Sequence, residues 1–223
     1  MKKLIMFLLV VVNLFALSSS EKSALIYMYQ EEKLAKDVYS TLAQMYPEVS
    51  AFSHIYNAEV KHERAVANVL EHYGIPLPVR GDEVGVFADE KLQSLYNDLI
   101  SKGEKSRTDA IEVGIMVEVT DVEDLDKYLQ EATSPDVIAL FKFLRAGSYN
   151  HYNAFNRALE MYTGKDACEL MSSEWCKDYP FEKGIGREYA NWYWFSGLSG
   201  SSRGGFYHRG GGYGRGHGGG AWR

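Results

Sequence analysis

Glu59-Val60-Lys61-His62 places a carboxylate and an imidazole on the apolar face of an amphipathic helix, and this constrains the chain more than any other feature of it. Three residues make nearly one helical turn, so both side chains leave the same side. That side is otherwise apolar, because Phe52, Ile55, Val66, Val69 and Tyr73 carry the same 3,4 repeat past Glu59 and His62. Groups of this kind in a core need partners that offset their desolvation. One Glu-x-x-His step cannot supply them, so they must come from other helices.

Four long segments have helical periodicity. The first, about 23–46, presents Leu25, Met28, Glu32, Ala35, Tyr39, Leu42 and Tyr46, and Pro47 ends it. The second begins near Ser50, a plausible N-cap, and stops at Gly74. The third, about 106–131, is capped by Ser106 or Thr108 and presents Ile111, Gly114, Glu118, Asp121, Leu125 and Tyr128. Ser134-Pro135 opens the fourth, a cap followed by proline at the first helical position. It runs to about Tyr162 and presents Val137, Phe141, Leu144, Ser148, His151, Phe155 and Ala158. Short turns join the first two and the last two segments, while 74–105 is a long connection with one short helix near 89–101. Two helical hairpins joined by a crossover predict an all-α bundle of the ferritin type, with the long crossover between its second and third helices.

Every stripe turns polar near its middle. Reflecting the first hairpin about residues 47–48 sets Glu32 opposite residue 63, within a turn of Glu59 and His62. Reflecting the second about 134–135 sets Glu118 on His151 and Asp121 on Ser148. Glu32, Glu59, His62, Glu118, Asp121 and His151 therefore converge on one layer. Four acids buried together raise one another's pKa and destabilise the fold unless positive charge sits among them. Two divalent cations balance four carboxylates, and an oxygen and nitrogen donor set favours iron, with manganese or zinc as alternatives. Bridging carboxylates usually hold such a pair about 3.5–4 Å apart.

Glu32-x-x-Ala35-x-x-x-Tyr39 followed by Glu59-x-x-His62 resembles the first half of the ferritin and rubrerythrin superfamily. A longer set of motifs is similar to the ferritin-like family catalogued as domain of unknown function 2202, over about residues 24–162. These are Glu31-Glu32-Lys33-Leu34-Ala35-Lys36-Asp37-Val38-Tyr39, Ala58 to His62, Gly85-Val86-Phe87, Leu92-Gln93-x-Leu95-Tyr96, Val113-Gly114 with Glu118-x-x-Asp121, and Gly147-Ser148-x-Asn150-His151-x-x-Ala154-Phe155. The resemblance implies two irons in a four-helix bundle, with Glu32, Glu59, His62, Glu118 and His151 as ligands. One position departs from it. Ser148 stands where the superfamily's fourth helix carries glutamate, and its depth nominates Asp121 as the replacement ligand.

The ends of the chain read differently. Residues 1–20 are expected to be a signal peptide, with Lys2 and Lys3, an apolar run from Leu4 to Leu17 and small residues after it; an uncleaved anchor is the alternative. Export makes the protein periplasmic or secreted and leaves no membrane span once the signal is removed. Residues 21–164 form the bundle and 165–196 an aromatic extension. Cys168 and Cys176 in that extension are expected to pair in an oxidising compartment. Residues 197–223 are rich in Gly and Arg and are expected to be a disordered tail. The span from Glu21 to Glu188 holds all 30 acidic residues against 18 of the 24 basic ones, a net of −12 that attracts cations and makes nucleic acid an unsuitable partner. The expected function is that of a dimetal protein acting on ferrous iron, peroxide or dioxygen, with a homo-oligomer allowed. The alternative is a non-catalytic, metal-stabilised bundle that serves as an envelope interaction module.

Overall fold

Helix boundaries follow the capping chemistry of the sequence in most places. In the computed structural model, which describes residues 17–78 and 83–171, all regular structure among the described residues is helical. The elements are α1 (Ser19–Met45), α2 (Ser50–His72), α3 (Glu90–Gly103), α4 (Arg107–Glu131), α5 (Pro135–Thr163) and the single turn α6 (Ala167–Leu170). Ser106 caps α4 by accepting from Asp109 N, Asp89 caps α3, and Gly164 ends α5 in the left-handed region at φ 73°. Two boundaries depart from expectation. Ser50 is the first helical residue of α2, with Val49 at the cap position and no side-chain cap bond. Helix α1 starts at Ser19, where Ser18 forms a capping box with Glu21, so the small residues assigned to the end of the leader belong to helix and cap. Residues 1–16 of the leader, Cys176, most of the aromatic extension and the Gly-rich tail lie outside the described residues.

Helices α1 and α2 pack along each other, as do α4 and α5; α2 meets α5 and α1 meets α4, which closes a cycle of four long helices. Helix α3 lies against α1 and α4 on the outside. The interior is two apolar clusters with a polar layer between them. On α1 the order is Ala24 to Tyr29, then Glu32, then Leu34 to Leu42; on α5 it is Val137 to Leu144, then Ser148 and His151, then Tyr152 to Leu159. Glu21 fastens one end of this interior. Its carboxylate accepts from Ser18 N, Thr133 N and Ser134 N, which ties the start of α1 to the α4–α5 turn. Burial pushes this carboxyl up, but those bonds outweigh it and hold the group at about 2.

The crossover is held by charges buried on the far side of α1. Lys33 is 1% exposed; its Nζ donates to Asp37 Oδ2 at 2.5 Å and to Glu83 O at 2.8 Å, and it lies over the Phe87 ring at 4.6 Å. Asp37 Oδ2 also accepts from Gly85 N, and Gln30 Oε1 accepts from Ala88 N and Asp89 N. A single apolar stripe would leave Gln30, Lys33 and Asp37 in solvent. They are buried because α3 and the crossover cover a second face of α1.

Candidate metal centre

Glu59 is the hinge of the polar layer. Its Oε2 lies 2.9 Å from His62 Nδ1, three residues along the same helix, and its Oε1 lies 2.7 Å from His151 Nδ1 on α5. Each imidazole then has a second carboxylate. His62 Nδ1 is 3.4 Å from Glu32 Oε2 on α1, and His151 Nδ1 is 3.4 Å from Glu118 Oε2 on α4. The reflection about each turn thus sets the right neighbours together. Ligand atoms, one each from Glu59, His62 and His151, lie within 4.8 Å of one another, all three residues buried. The two rings stack with centroids 5.3 Å apart and planes inclined by 26°.

Asp121 takes a different position. Its Oδ2 accepts a hydrogen bond from Ser148 Oγ, so the serine that replaces glutamate on α5 holds the acid that the depth reading nominated. Asp121 Oδ1 is buried without a hydrogen-bond partner, as are Glu32 Oε1 and His151 Nδ1. The case of His151 is informative, because its nitrogen is 2.7 Å from Glu59 Oε1 yet not aligned for a hydrogen bond. His151 Nδ1 and Glu59 Oε1 thus approach without bonding, a fit for donors that share a cation, whereas His62 Nδ1 and Glu59 Oε2 are hydrogen-bonded at 2.9 Å.

The electrostatics of the metal-free layer lead the same way. Burial pushes the Glu32 carboxyl up to about 8, against the nearby His62. Burial also raises Glu118 and, together with the charges of Glu32, Glu118 and Glu59, puts Asp121 well above the carboxylate range. Burial alone would raise Glu59 too, but the His151 and His62 charges outweigh it and hold its carboxyl far below normal. Burial disfavours both imidazoliums, yet Glu59 and Glu118 push His151 to about 10, and Glu59 and Glu32 raise His62 well above its usual value. Without metal, the cluster can hold its negative charges only by retaining protons on its neighbours.

Residues around the layer fix its ligands. Tyr39 Oη donates to Glu118 Oε1 at 2.5 Å from a fully buried position, and Tyr39, Phe52 and Phe155 form an aromatic layer beneath it with centroids 5.1–6.2 Å apart. Gly147 makes room for His62: a Cβ there would lie 2.4 Å from His62 Cε1 and 2.7 Å from Nε2. Glu31, which the 3,4 repeat leaves off the inward stripe of α1, is buried like Glu32.

The described structure is therefore a helical protein with a buried carboxylate and histidine cluster. The chain matches the family described as Uncharacterized protein domain (DUF2202) over residues 21–177, and it belongs to that family. It is 40% identical over 158 residues to Uncharacterized protein MJ0754 of Methanocaldococcus jannaschii, a match covering 71% of this chain and 85% of that protein. The crystal structure of hypothetical protein MJ0754 from the same archaeon, there called Methanococcus jannaschii, superposes with a TM-score of 0.66 at 41% identity. That match covers 68% of this chain and 85% of the solved one.

Proposed function

We propose that this chain is an exported, ferritin-like four-helix bundle that holds two divalent metal ions, iron first and manganese or zinc as alternatives, and oxidises ferrous iron or reduces peroxide or dioxygen. The observation that carries the reading is Glu59, whose two oxygens face the Nδ1 atoms of two histidines from different helices, each with a second carboxylate beside it. Glu32, Glu59 and His62 would hold one ion, and Glu59, Glu118 and His151 the other. Asp121 would add its free oxygen. The set fits two dications in charge as well as in donor type, since four carboxylates balance +4 and both imidazoles then serve as neutral donors.

When bound, the ions supply Lewis acidity and one-electron redox chemistry. The remaining work falls to the chain. Glu59 keeps the two donor sets in register, Tyr39 orients Glu118, and the apolar clusters on either side of the layer exclude bulk water. With ferrous iron as substrate, peroxide takes one electron from each of two ions and, with two protons, leaves as two waters. Those two protons come from solvent, because His62 and His151 lose theirs when they become neutral donors. Export and the Cys168–Cys176 pairing belong to the same reading, supported by the apolar leader and the close spacing of the cysteines.

Anaerobic loading with ferrous iron, followed by dioxygen or peroxide, tests the function. An oxidant-dependent change in near-ultraviolet and visible absorbance is expected, and Glu59→Ala should abolish it. Two bound ferrous ions with no spectral response to either oxidant would refute the redox role and leave a metal-stabilised bundle.

A further inference from the structure

Glu31 is a buried acid that the central cluster does not use. It is 3% exposed, and neither of its carboxylate oxygens has a hydrogen-bond partner. Native structures supply such groups with a partner from protein or solvent, because leaving them bare is costly. Glu31 lines a recess of about 30 Å³ between α1, α4 and α3, walled by Leu34 and Val117 and covered by Leu95 and Leu99 of α3. Thr120 also lines it, but its hydroxyl donates within α4, to Met116 O at 3.0 Å. Asp124 acts on Glu31 as a second acid and so brings another acceptor. Hydrogen-bond donors for Glu31 must therefore come from a molecule in the recess. One water needs about 10–15 Å³ of such space, so there is room for two oxygen atoms. The recess also adjoins the central cluster. Glu31 precedes Glu32, Val117 precedes Glu118 and Thr120 precedes Asp121. Successive helical residues point about 100° apart, so recess and cluster occupy adjacent faces of the same two helices.

We propose that this recess is a binding site for hydrogen peroxide, in which Glu31 accepts both of its O–H groups beside the metal centre. The inference rests on the dimetal reading for the destination of the peroxide only. Among the substrates of that reading, peroxide alone brings two donors to two bare acceptor oxygens in a space of two-atom size. Dioxygen has no hydrogen to donate and would leave Glu31 unpaired. A ferrous ion would find one carboxylate among aliphatic walls, too few oxygen donors to replace its water shell. Peroxide is also neutral, so passing the leucine cover of α3 spares it the desolvation cost that an ion would meet. No bond forms or breaks in the recess. Its role is to concentrate the oxidant one helix face away from Glu32, Glu118 and Asp121, and water fills it in the absence of peroxide.

The test has a metal-free arm and a ferrous-loaded arm, both with the full-length chain. Crystals of the metal-free protein should show ordered solvent within hydrogen-bond distance of Glu31, and a peroxide soak should replace it with a connected two-atom peak. In the ferrous-loaded protein, stopped flow against peroxide and against dioxygen reads the site kinetically. Glu31→Leu should raise the peroxide concentration for half-maximal rate about tenfold, the loss expected when the hydrogen bonds to the carboxylate are removed. Leu99→Phe, which fills the recess from α3, should do the same. Both variants should bind two ferrous ions and reach the wild-type rate at saturating peroxide, so that the ratio of peroxide to dioxygen rates falls only at low peroxide. Solvent that peroxide does not displace, or Glu31 paired directly with Asp124, would overturn the assignment, and so would equal slowing with both oxidants. Peroxide density on Glu31 in a protein whose ferrous ions react with neither oxidant would instead refute the redox reading and leave the recess standing as a peroxide site.

Discussion

Gly147→Ala is a single-methyl perturbation aimed at one of the two metal positions. The new Cβ would sit 2.4 Å from His62 Cε1 and 2.7 Å from Nε2, both inside the 3.0 Å that real Cβ contacts do not cross. Either the ring or helix α5 must move. The ring cannot swing freely, because Nδ1 is held by Glu59 at 2.9 Å and flanked by Glu32 at 3.4 Å, while Phe143 meets it edge-on and His151 stacks on it. Overpacking of this kind costs about 1–3 kcal/mol. For a domain of this size each kcal/mol lowers Tm by about 2–4 °C. The more specific effect is on metal, because a displaced ligand typically weakens affinity about 10- to 100-fold, here on the His62 side alone. Competition titration against a chromophoric chelator should resolve one weakened and one unchanged site. Gly103→Ala is the control: its Cβ would meet Leu42 Cδ2 at 2.7 Å, far from the ligands, and should cost stability without touching affinity. Wild-type affinity at both sites in Gly147→Ala would show that His62 is not a ligand in the observed orientation.

Two further outcomes follow from the buried charges. In the metal-free protein Glu32 titrates near 8 and His151 near 10, both above their unfolded values of 4.5 and 6.5, and His62 is raised as well. The native state then binds more protons than the unfolded one across this range, so metal-free stability should fall as pH rises from about 5 to about 10. Glu59, with its lowered carboxyl, acts in the opposite sense only at the acid end. Metal must displace these protons, so affinity should rise with pH and loading should release protons; calorimetry in buffers of different ionisation enthalpy measures the release, and none would contradict the assigned charges. Asp37→Ala should cost about 3–5 kcal/mol, because it strands the buried Lys33 ammonium. Hydrogen exchange should then quicken at Gly85, whose N–H loses its acceptor, and an unchanged melting curve would refute the anchor.

The long helices were legible in the sequence because each buries one stripe and is bounded by proline, glycine or a capping residue. The depth of the site was legible for a geometric reason: short turns make reflection reliable, and Glu32 did fall beside His62 and Glu118 beside His151. What periodicity could not show was any second buried face. Lys33, Asp37, Gln30 and Glu31 look like the solvent side of α1 until α3 and the crossover are laid over them, and a long connection does not announce which face it covers. The capping of α2 failed for a related reason. Ser50 has the right chemistry, but the tight turn after Pro47 starts the helix at Ser50 itself, so its hydroxyl does not cap. Ser148 was readable as a departure, and only the structure supplied its hydrogen bond to Asp121.

Counting ferrous ions per chain under anaerobic conditions tests the central claim most directly, with the wild type, Glu59→Ala and Asp121→Ala titrated side by side. Two tightly bound ions are predicted for the central cluster of the wild type, since Glu59 faces both histidines. Glu59→Ala should lose both, and Asp121→Ala should keep two with one of them weakened. A wild-type value of one or zero at the central cluster, or a Glu59→Ala protein that still binds two ions there, would contradict the account.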